Sequence, residues 1–300
     1  MDLSDLLIFK TVADEGGILR AAKRLHRVQS NVTTRIKQLE ESLGVQLFFR
    51  EKQRLFLSPN GELLLTYADR LLRLAEEAKG AVTSGIPRGV LRLGALESTA
   101  ASRLPAIFCE FHRRFPEVHI ELKTATNDRL VEAVATRRLD AAFVAEAPAN
   151  PDISHLPLFS ECLVLISSLT HKPIAKALDV AGDSIIAFPS GCAYRRVLER
   201  WFGGKNLGSA RVLELGSYHA IVACVAAGTG IAIVPESVLD TLQDSPVARY
   251  PLPKVLGQII TPLIWRKAEQ SVAVTALRTL VQEVCFPSRR GRRIERAVLA

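Results

Sequence analysis

The stretch Gly17-Ile-Leu-Arg-Ala-Ala-Lys-Arg-Leu-His-Arg-Val-Gln-Ser-Asn-Val-Thr-Thr-Arg-Ile-Lys-Gln-Leu-Glu40 admits few folds. Ala21 and Ala22 leave one short helix, expected over 17–25, smooth enough for a second to cross it closely. Leu25, Val28, Val32, Ile36 and Leu39 follow at helical spacing, so the two helices are expected to share a buried stripe. The other face of the second helix, expected over 29–42, carries Gln29, Ser30, Asn31, Thr33, Thr34, Arg35 and Lys37. These are amides, hydroxyls and cations of the kind that bond base edges and phosphates. The plain alternative is a basic amphipathic hairpin with a solvated face. The sequence that follows disfavours it: Leu43-Gly-Val-Gln-Leu-Phe-Phe-Arg50 and Lys52-Gln-Arg-Leu-Phe-Leu-Ser-Pro-Asn-Gly61 suit a short basic β-wing running into a new helix. The pattern is a winged helix-turn-helix.

Charge agrees with this placement. The net charge is +8, which suits a polyanionic partner. Residues 20–54 hold nine Lys or Arg against three acids, a local excess of +6. Arg289, Arg290, Arg292, Arg293 and Arg296 form a second cluster, read first as a solvated tail and second as an accessory nucleic-acid contact. The five cysteines (109, 162, 192, 224, 285) are odd in number and widely spaced. They fit a reducing cytoplasm better than a disulfide scaffold. No His/Cys metal spacing is present, and neither metal nor cofactor is expected. Met-Asp-Leu-Ser-Asp carries no basic leader, and no charge-free apolar run is long enough for a membrane span. A cytoplasmic chain without a membrane partner is the expectation.

A first helix is expected over 2–15 and the wing over 48–57. Ser58-Pro59 reads as an N-cap with proline at the first helical position. From there to Lys79 one helix is expected, with an apolar seam of Leu64, Tyr67 or Ala68, Leu71, Leu74 or Ala75, and Ala78. It is too long for a small winged domain, so self-pairing as in a coiled coil is the first reading. Packing against its own chain is the second. Gly80–Arg88 reads as a hinge. Apolar strands and helices then alternate, which means a mostly parallel α/β sheet. Strands are expected at 90–96, 118–124, 140–145, 161–167, 184–188, 211–215, 230–235 and 263–266. Helices are expected at 98–115, 128–138, 193–202, 218–228 and 272–284. Two such sets make two lobes with a cleft between them.

These phrases resemble one family over essentially the full chain. Ala21-Ala-Lys-Arg-Leu-His, Gln29-Ser, Ile36-Lys-Gln-Leu-Glu-Glu-Ser-Leu-Gly-Val-Gln-Leu-Phe-Phe-Arg50 and Leu57-Ser-Pro-Asn-Gly61 resemble signature phrases of LysR-type transcriptional regulators. Gly94–Pro105, Gly191–Arg196 and Gly216–Gly228 resemble its YofA/SoxR-like and putrescine-utilisation subgroup. The resemblance implies an α+β multidomain chain: a winged helix-turn-helix (1–58), a linker helix and hinge (59–88), and a two-lobed, periplasmic-binding-protein-like effector domain (89–300). The lobe boundaries are set at about 89–162 with 265–300, and 163–264. It further implies a homodimer or homotetramer on double-stranded DNA bearing an interrupted inverted repeat. Its activity would be modulated by a small-molecule effector, and RNA polymerase is a candidate partner.

The base-reading candidates are Gln29, Ser30, Asn31, Thr33, Thr34 and Arg35, with Lys37, Arg50, Lys52 and Arg54 gripping phosphates; Thr34 has the alternative of back-bonding its own helix. In α/β sheets ligands sit beyond the carboxyl ends of strands, near helix starts. That selects Ser98, Thr99, Thr126, Asn127, Ser190, Cys192, Tyr194, Arg195, Ser217, Tyr218 and His219 as effector contacts, with plain N-capping as the alternative. Cys192 reads first as a packing thiol. Where the subgroup carries Thr-Gly-Thr-Thr-Gly, this chain has Thr124-Ala-Thr-Asn-Asp128, so its usual effector does not carry over and a cationic amine becomes a candidate. A solute-binding protein and an α/β enzyme are the competing classes. Against an enzyme, there is no Gly-x-Ser-x-Gly, no His-Glu-x-x-His and no phosphate-binding Gly-Lys-Ser/Thr, and Gly228-Thr-Gly230 leads into a strand.

Overall fold

The computed structural model describes residues 1–51, 54–83, 86–180, 182–203, 211–242, 245–269 and 271–286. Lys52, the side chain of Arg54 and the arginines between 289 and 296 lie outside the described residues. The chain divides into two compact units, Met1–Gly85 and Ile86–Ala300.

The first unit begins with α1 (Leu3–Glu15), started by a capping box in which Asp2 and Asp5 each accept the other's backbone N–H. Gly16 ends it in the left-handed region, at φ 62°. The crossing pair is α2 (Ile18–Arg24) and α3 (Gln29–Leu43). Ala21 and Ala22 are buried where it forms, joined by Leu6, Phe9, Val12, Val32, Ile36 and Leu39. Val28 departs from the expected stripe. It is the N-cap residue of α3, in extended backbone, and it is 68% exposed. The stripe therefore skips from Leu25 to Val32.

The wing is an antiparallel pair, β1 (Phe48–Glu51) and β2 (Arg54–Leu57), with Phe49 opposite Phe56. The Glu40 carboxylate accepts the N–H groups of Leu47 and Phe48 at 2.7 and 3.2 Å, which ties the wing to α3. Ser58 donates to the Gln46 carbonyl and accepts from the Gly61 N–H, so the predicted cap is in place. It opens α4 (Pro59–Thr83). Gly61 is required there, because a Cβ would stand 2.2 Å from the Leu47 carbonyl oxygen.

The second reading of the long helix, packing against its own chain, holds for one of its two apolar faces. Leu64, Leu65, Ala68 and Leu72 pack on the helix-turn-helix core, and Lys10 on α1 pairs with Asp69 at 2.9 Å. Leu63, Tyr67, Leu71 and Leu74 instead stay 40–60% exposed. At 100° per residue they occupy an arc of about 80°. The expected seam thus mixed two faces: Leu64 and Ala68 belong to the inner one.

The second unit is built on a seven-stranded sheet in the order β10-β6-β11-β5-β3-β4, with β9 also paired to β6. On one side lie β3 (Gly89–Ala95), β4 (Val118–Thr124) and β5 (Ala141–Phe143), all parallel. α5 (Glu97–Ser102), α6 (Leu104–Arg114), α7 (Asn127–Ala135) and α12 (Val272–Cys285) complete this lobe. The single helix expected over 98–115 is broken at Arg103, because Pro105 has no N–H to donate to Ala101.

The second lobe holds β7 (Ile185–Ala187), α8 (Ala193–Trp201), β8 (Val212–Glu214), α9 (Tyr218–Ala226) and β9 (Ala232–Pro235). It also holds α10 (Glu236–Leu239), β10 (Val247–Pro251) and α11 (Lys254–Gly257). β6 (Ile153–Ser168) and β11 (Gln258–Arg266) run antiparallel through both lobes. Their register shifts between Thr261 and Pro262, where Pro262 faces Pro157. Proline cannot donate to a ladder, so the break falls where two prolines meet. This also explains why β6 extends eight residues upstream of its expected start at Glu161: Pro157 reads as a strand breaker, yet it sits at the lobe crossover.

Candidate DNA interface and ligand cleft

The outward face of α3 presents Gln29, Ser30, Asn31, Thr34 and Lys37, all exposed. Three of the candidate DNA-contacting side chains are engaged internally. Thr33 donates to the Gln29 carbonyl at 2.9 Å, so the back-bonding considered for Thr34 occurs one residue earlier. Arg35 meets Asp5 at 2.9 Å and Asp2 at 3.4 Å, fastening α3 to the start of α1. Asn31 accepts from Arg27 at 3.4 Å and remains on the outer face. On the wing Arg50 is exposed. Phe49 and Phe56, whose ring centroids lie 5.8 Å apart, stack on the wing's solvent side.

In the second unit a cavity of about 580 Å³ opens between the lobes. From the first lobe, the carboxyl ends of β3 and β4 bring Leu96, Glu97, Thr124, Ala125 and Thr126 to its wall. From the second come Phe188, Ser190, Cys192, Tyr194, Gly216 and Tyr218. Thr126, Ser190, Cys192, Tyr194 and Tyr218, five of the candidate effector contacts, are thus brought together in one wall.

The other expected contacts stand elsewhere. Ser98 and Thr99 are 2% exposed and lie behind the wall, with the Ser98 hydroxyl sharing a hydrogen bond with the Tyr194 hydroxyl at 3.4 Å. Asn127 is buried, and its amide oxygen accepts from the Ala145 and Glu146 N–H groups, which makes it a clamp on the adjoining loop. Arg195 points away to Glu199, Glu214 and the Phe188 carbonyl. Ser217 caps α9 only by position, and His219 is exposed outside the wall. Asp128 is not in the wall either. It pairs with Arg196, which also reaches Glu146, so one arginine of the second lobe bridges two acids of the first.

Four groups in the wall are electrically altered. Burial pushes the Cys192 thiol up, so it stays protonated at neutral pH and serves as packing. Burial also holds the Tyr194 and Tyr218 hydroxyls above their usual range. Burial likewise raises the Glu97 carboxyl, against a smaller opposing pull from the Tyr218 N–H and from His219. Glu97 and Phe188 were missed in the sequence. An acid in the first turn of a helix ordinarily reads as a partner of the helix dipole, and Phe188 reads as the end of a buried strand.

Behind the cleft, the 3%-exposed Glu161 on β6 accepts from Arg103 at 2.7 Å and from Ser237 at 2.6 Å. Ser102 reaches Ser237 at 3.3 Å, so α5 and α10 are joined beside the crossover strand. No group of metal-ligating side chains is found among the described residues. Among the described residues no helix is long and apolar enough to cross a membrane.

Comparison with known proteins fits both units. Residues 3–62 match the model of the bacterial regulatory helix-turn-helix protein, lysR family. Residues 84–286 match the LysR substrate binding domain. The chain is 36% identical to YusT of Bacillus subtilis, an uncharacterized HTH-type transcriptional regulator, over 94% of each chain. It is 39% identical to the regulator YofA of Bacillus velezensis, over 81% of this chain and 84% of that one. It is 34% identical to the regulator SoxR of an Arthrobacter strain, over 89% and 91%. Among solved structures, a full-length OxyR variant from Pseudomonas aeruginosa superposes with a TM-score of 0.72 at 23% identity, covering 95% of this chain and 96% of that one. CbnR in complex with its target DNA follows at 0.69 and 24%, covering 94% and 99%. These two share the fold. The chain belongs to the LysR family of bacterial transcriptional regulators, and it is a DNA-binding regulator with an effector-binding domain rather than an enzyme.

Proposed function

We propose that the protein acts in the cytoplasm as a homodimer, or a pair of such dimers, on an interrupted inverted repeat. One observation carries the DNA side of this reading. The outer face of α3 keeps Gln29, Ser30, Thr34 and Lys37 exposed beside a basic wing. Gln29, Asn31 and Thr34 would read base edges, with Ser30 in support, while Lys37, Arg50, Lys52 and Arg54 would hold phosphates. The self-association side rests on Leu63, Tyr67, Leu71 and Leu74, an apolar stripe that the first unit leaves uncovered. Residues 59–88 would then serve as dimerisation helix and hinge, and residues 89–300 as the effector domain.

The inter-lobe cavity is the effector site in this reading. A ligand that favours one lobe arrangement would shift the population of that arrangement, and with it half-site spacing and contact with RNA polymerase. The test is footprinting on the gene's own upstream region with a salt series. The expected result is a protected interrupted palindrome whose affinity falls steeply with salt, at about −0.9 in log–log slope per neutralised phosphate. Salt-insensitive or absent binding there and at neighbouring promoters would count against it.

A further inference from the structure

Val28 is out of place for its residue type. It is the N-cap residue of α3, a position that favours Ser, Thr, Asn and Asp because their side chains accept a first-turn N–H. Valine ranks among the poorest choices there, and no side-chain cap bond forms. Nor is the side chain buried. At 68% exposure it is the most exposed large apolar residue among the described residues of the first unit. Val28 thus gives up both a cap and a place in the core.

Its position is fixed rather than loose. Backbone hydrogen bonds from Leu25 to Ala21, from His26 to Lys23 and from Arg27 to Ala22, at 2.9, 3.2 and 2.9 Å, close the turn before it. His26 holds the left-handed region at φ 52°, a conformation that is costly for a residue with a Cβ. On the other side, the Val28 carbonyl accepts the N–H groups of Asn31 and Val32 at 3.1 and 3.3 Å. Val32 is fully buried, so the Val28 backbone is anchored to the core while its isopropyl group stands in solvent.

In a helix-turn-helix the first residues of the second helix reach base edges in the major groove. Amides and hydroxyls hydrogen-bond those edges. An apolar side chain has one feature to meet there, the thymine C5-methyl. Gln29, Ser30 and Asn31 are exposed beside Val28, so the isopropyl group is continuous with the polar outer face of α3. Lys23, Arg24 and Arg27 are exposed just before it. That charge favours a polyanion at this place over a second copy of the same surface.

Resting on the reading of α3 as the base-reading helix, we propose that Val28 is a further specificity-determining residue. Its isopropyl group packs on the C5-methyl of one thymine in each half-site.

The test compares duplexes that differ by one methyl group. The probe is the protected upstream segment or, where none is protected, the duplex that the full-length protein enriches from a random pool. Each thymine in turn is replaced by deoxyuridine, which removes the methyl and keeps the hydrogen-bonding groups. The expected result is one position in each half-site where deoxyuridine weakens wild-type binding about fourfold, the effect of one buried methyl-sized group. Val28→Ser supplies a capping hydroxyl in place of the methyls, and a melting curve checks its fold. It should bind thymine and deoxyuridine equally at that position, whereas Val28→Ile should keep the preference for thymine. A wild-type protein indifferent to every methyl, or a serine variant that still distinguishes the two bases there, overturns the proposal. Gln29→Ala is the control on α3 itself. An enriched sequence unchanged by Gln29→Ala, or no enriched sequence at all, would overturn the base-reading role of α3 and the proposal with it.

Discussion

Arg35 and Glu97 reverse the roles their sequence positions suggest. Arg35 lies on a helix crowded with DNA-reading residue types, yet its guanidinium holds Asp2 and Asp5. Replacing it with alanine should lower stability by about 1 kcal/mol, as for a partly exposed ion pair. The footprint should keep its sequence preference, and a binding-site selection on the variant checks this. Glu97 makes a pH-dependent prediction. Its carboxyl is raised above the ordinary value of 4.5 by burial, so the folded chain holds that proton more tightly than the unfolded one. The burden of its charge is absent below the unfolded value and complete above the folded one. In the absence of ligand, Glu97→Gln should therefore raise the melting temperature at pH 7.5, and the gain should fade as pH approaches 4.5. A gain independent of pH would assign the effect to something other than the charge.

At the scale of elements, pattern reading succeeded where one local rule governs and failed where two surfaces compete for one element. The cap of α4, the crossing alanines and the wing follow from neighbouring residues alone. The long helix does not. Its apolar residues serve two faces, and spacing cannot assign Leu64 to the inner one and Leu63 to the outer. If the outer face mediates the proposed self-association, charging it with Leu71→Lys and Leu74→Lys should abolish that association while leaving the helix content intact, as read by light scattering and circular dichroism. The junction of wing and α4 makes a second prediction. A methyl on Gly61 would collide with the Leu47 carbonyl, and backbone cannot yield as a side-chain tip does. Gly61→Ala should cost about 2 kcal/mol or more, by the usual scale for overpacking, and should weaken DNA binding by displacing the wing.

Across the whole effector domain, the sheet alternation and two-lobe plan were legible, while the cavity's inner wall was not. Helix starts are visible in a sequence because Ser, Thr and Asn favour them. Whether a given hydroxyl faces a cleft or its own core depends on the other lobe. Ser98 faces Tyr194 across 96 positions of chain, and no local pattern carries that fact. The same distance-blindness hid the bridge from Arg196 to Asp128 and Glu146. These pairs are partly exposed, so Arg196→Ala should change stability by less than about 1 kcal/mol. It should nevertheless release the lobes, and hydrogen exchange should quicken at the first turns of α7 and α8. Unchanged exchange there would show the bridge to be incidental.

The crossover strands also set an order on synthesis. β6 is complete at Ser168, but the strand that must lie beside it along both lobes begins only at Gln258. β11 separates β6 from β5 in the first lobe and flanks β6 in the second. Both lobes therefore take a strand from the same late segment, and the first lobe waits longer still, for α12. A chain interrupted just before Gln258 lacks the strand that both lobes share, although most of their residues have already been made.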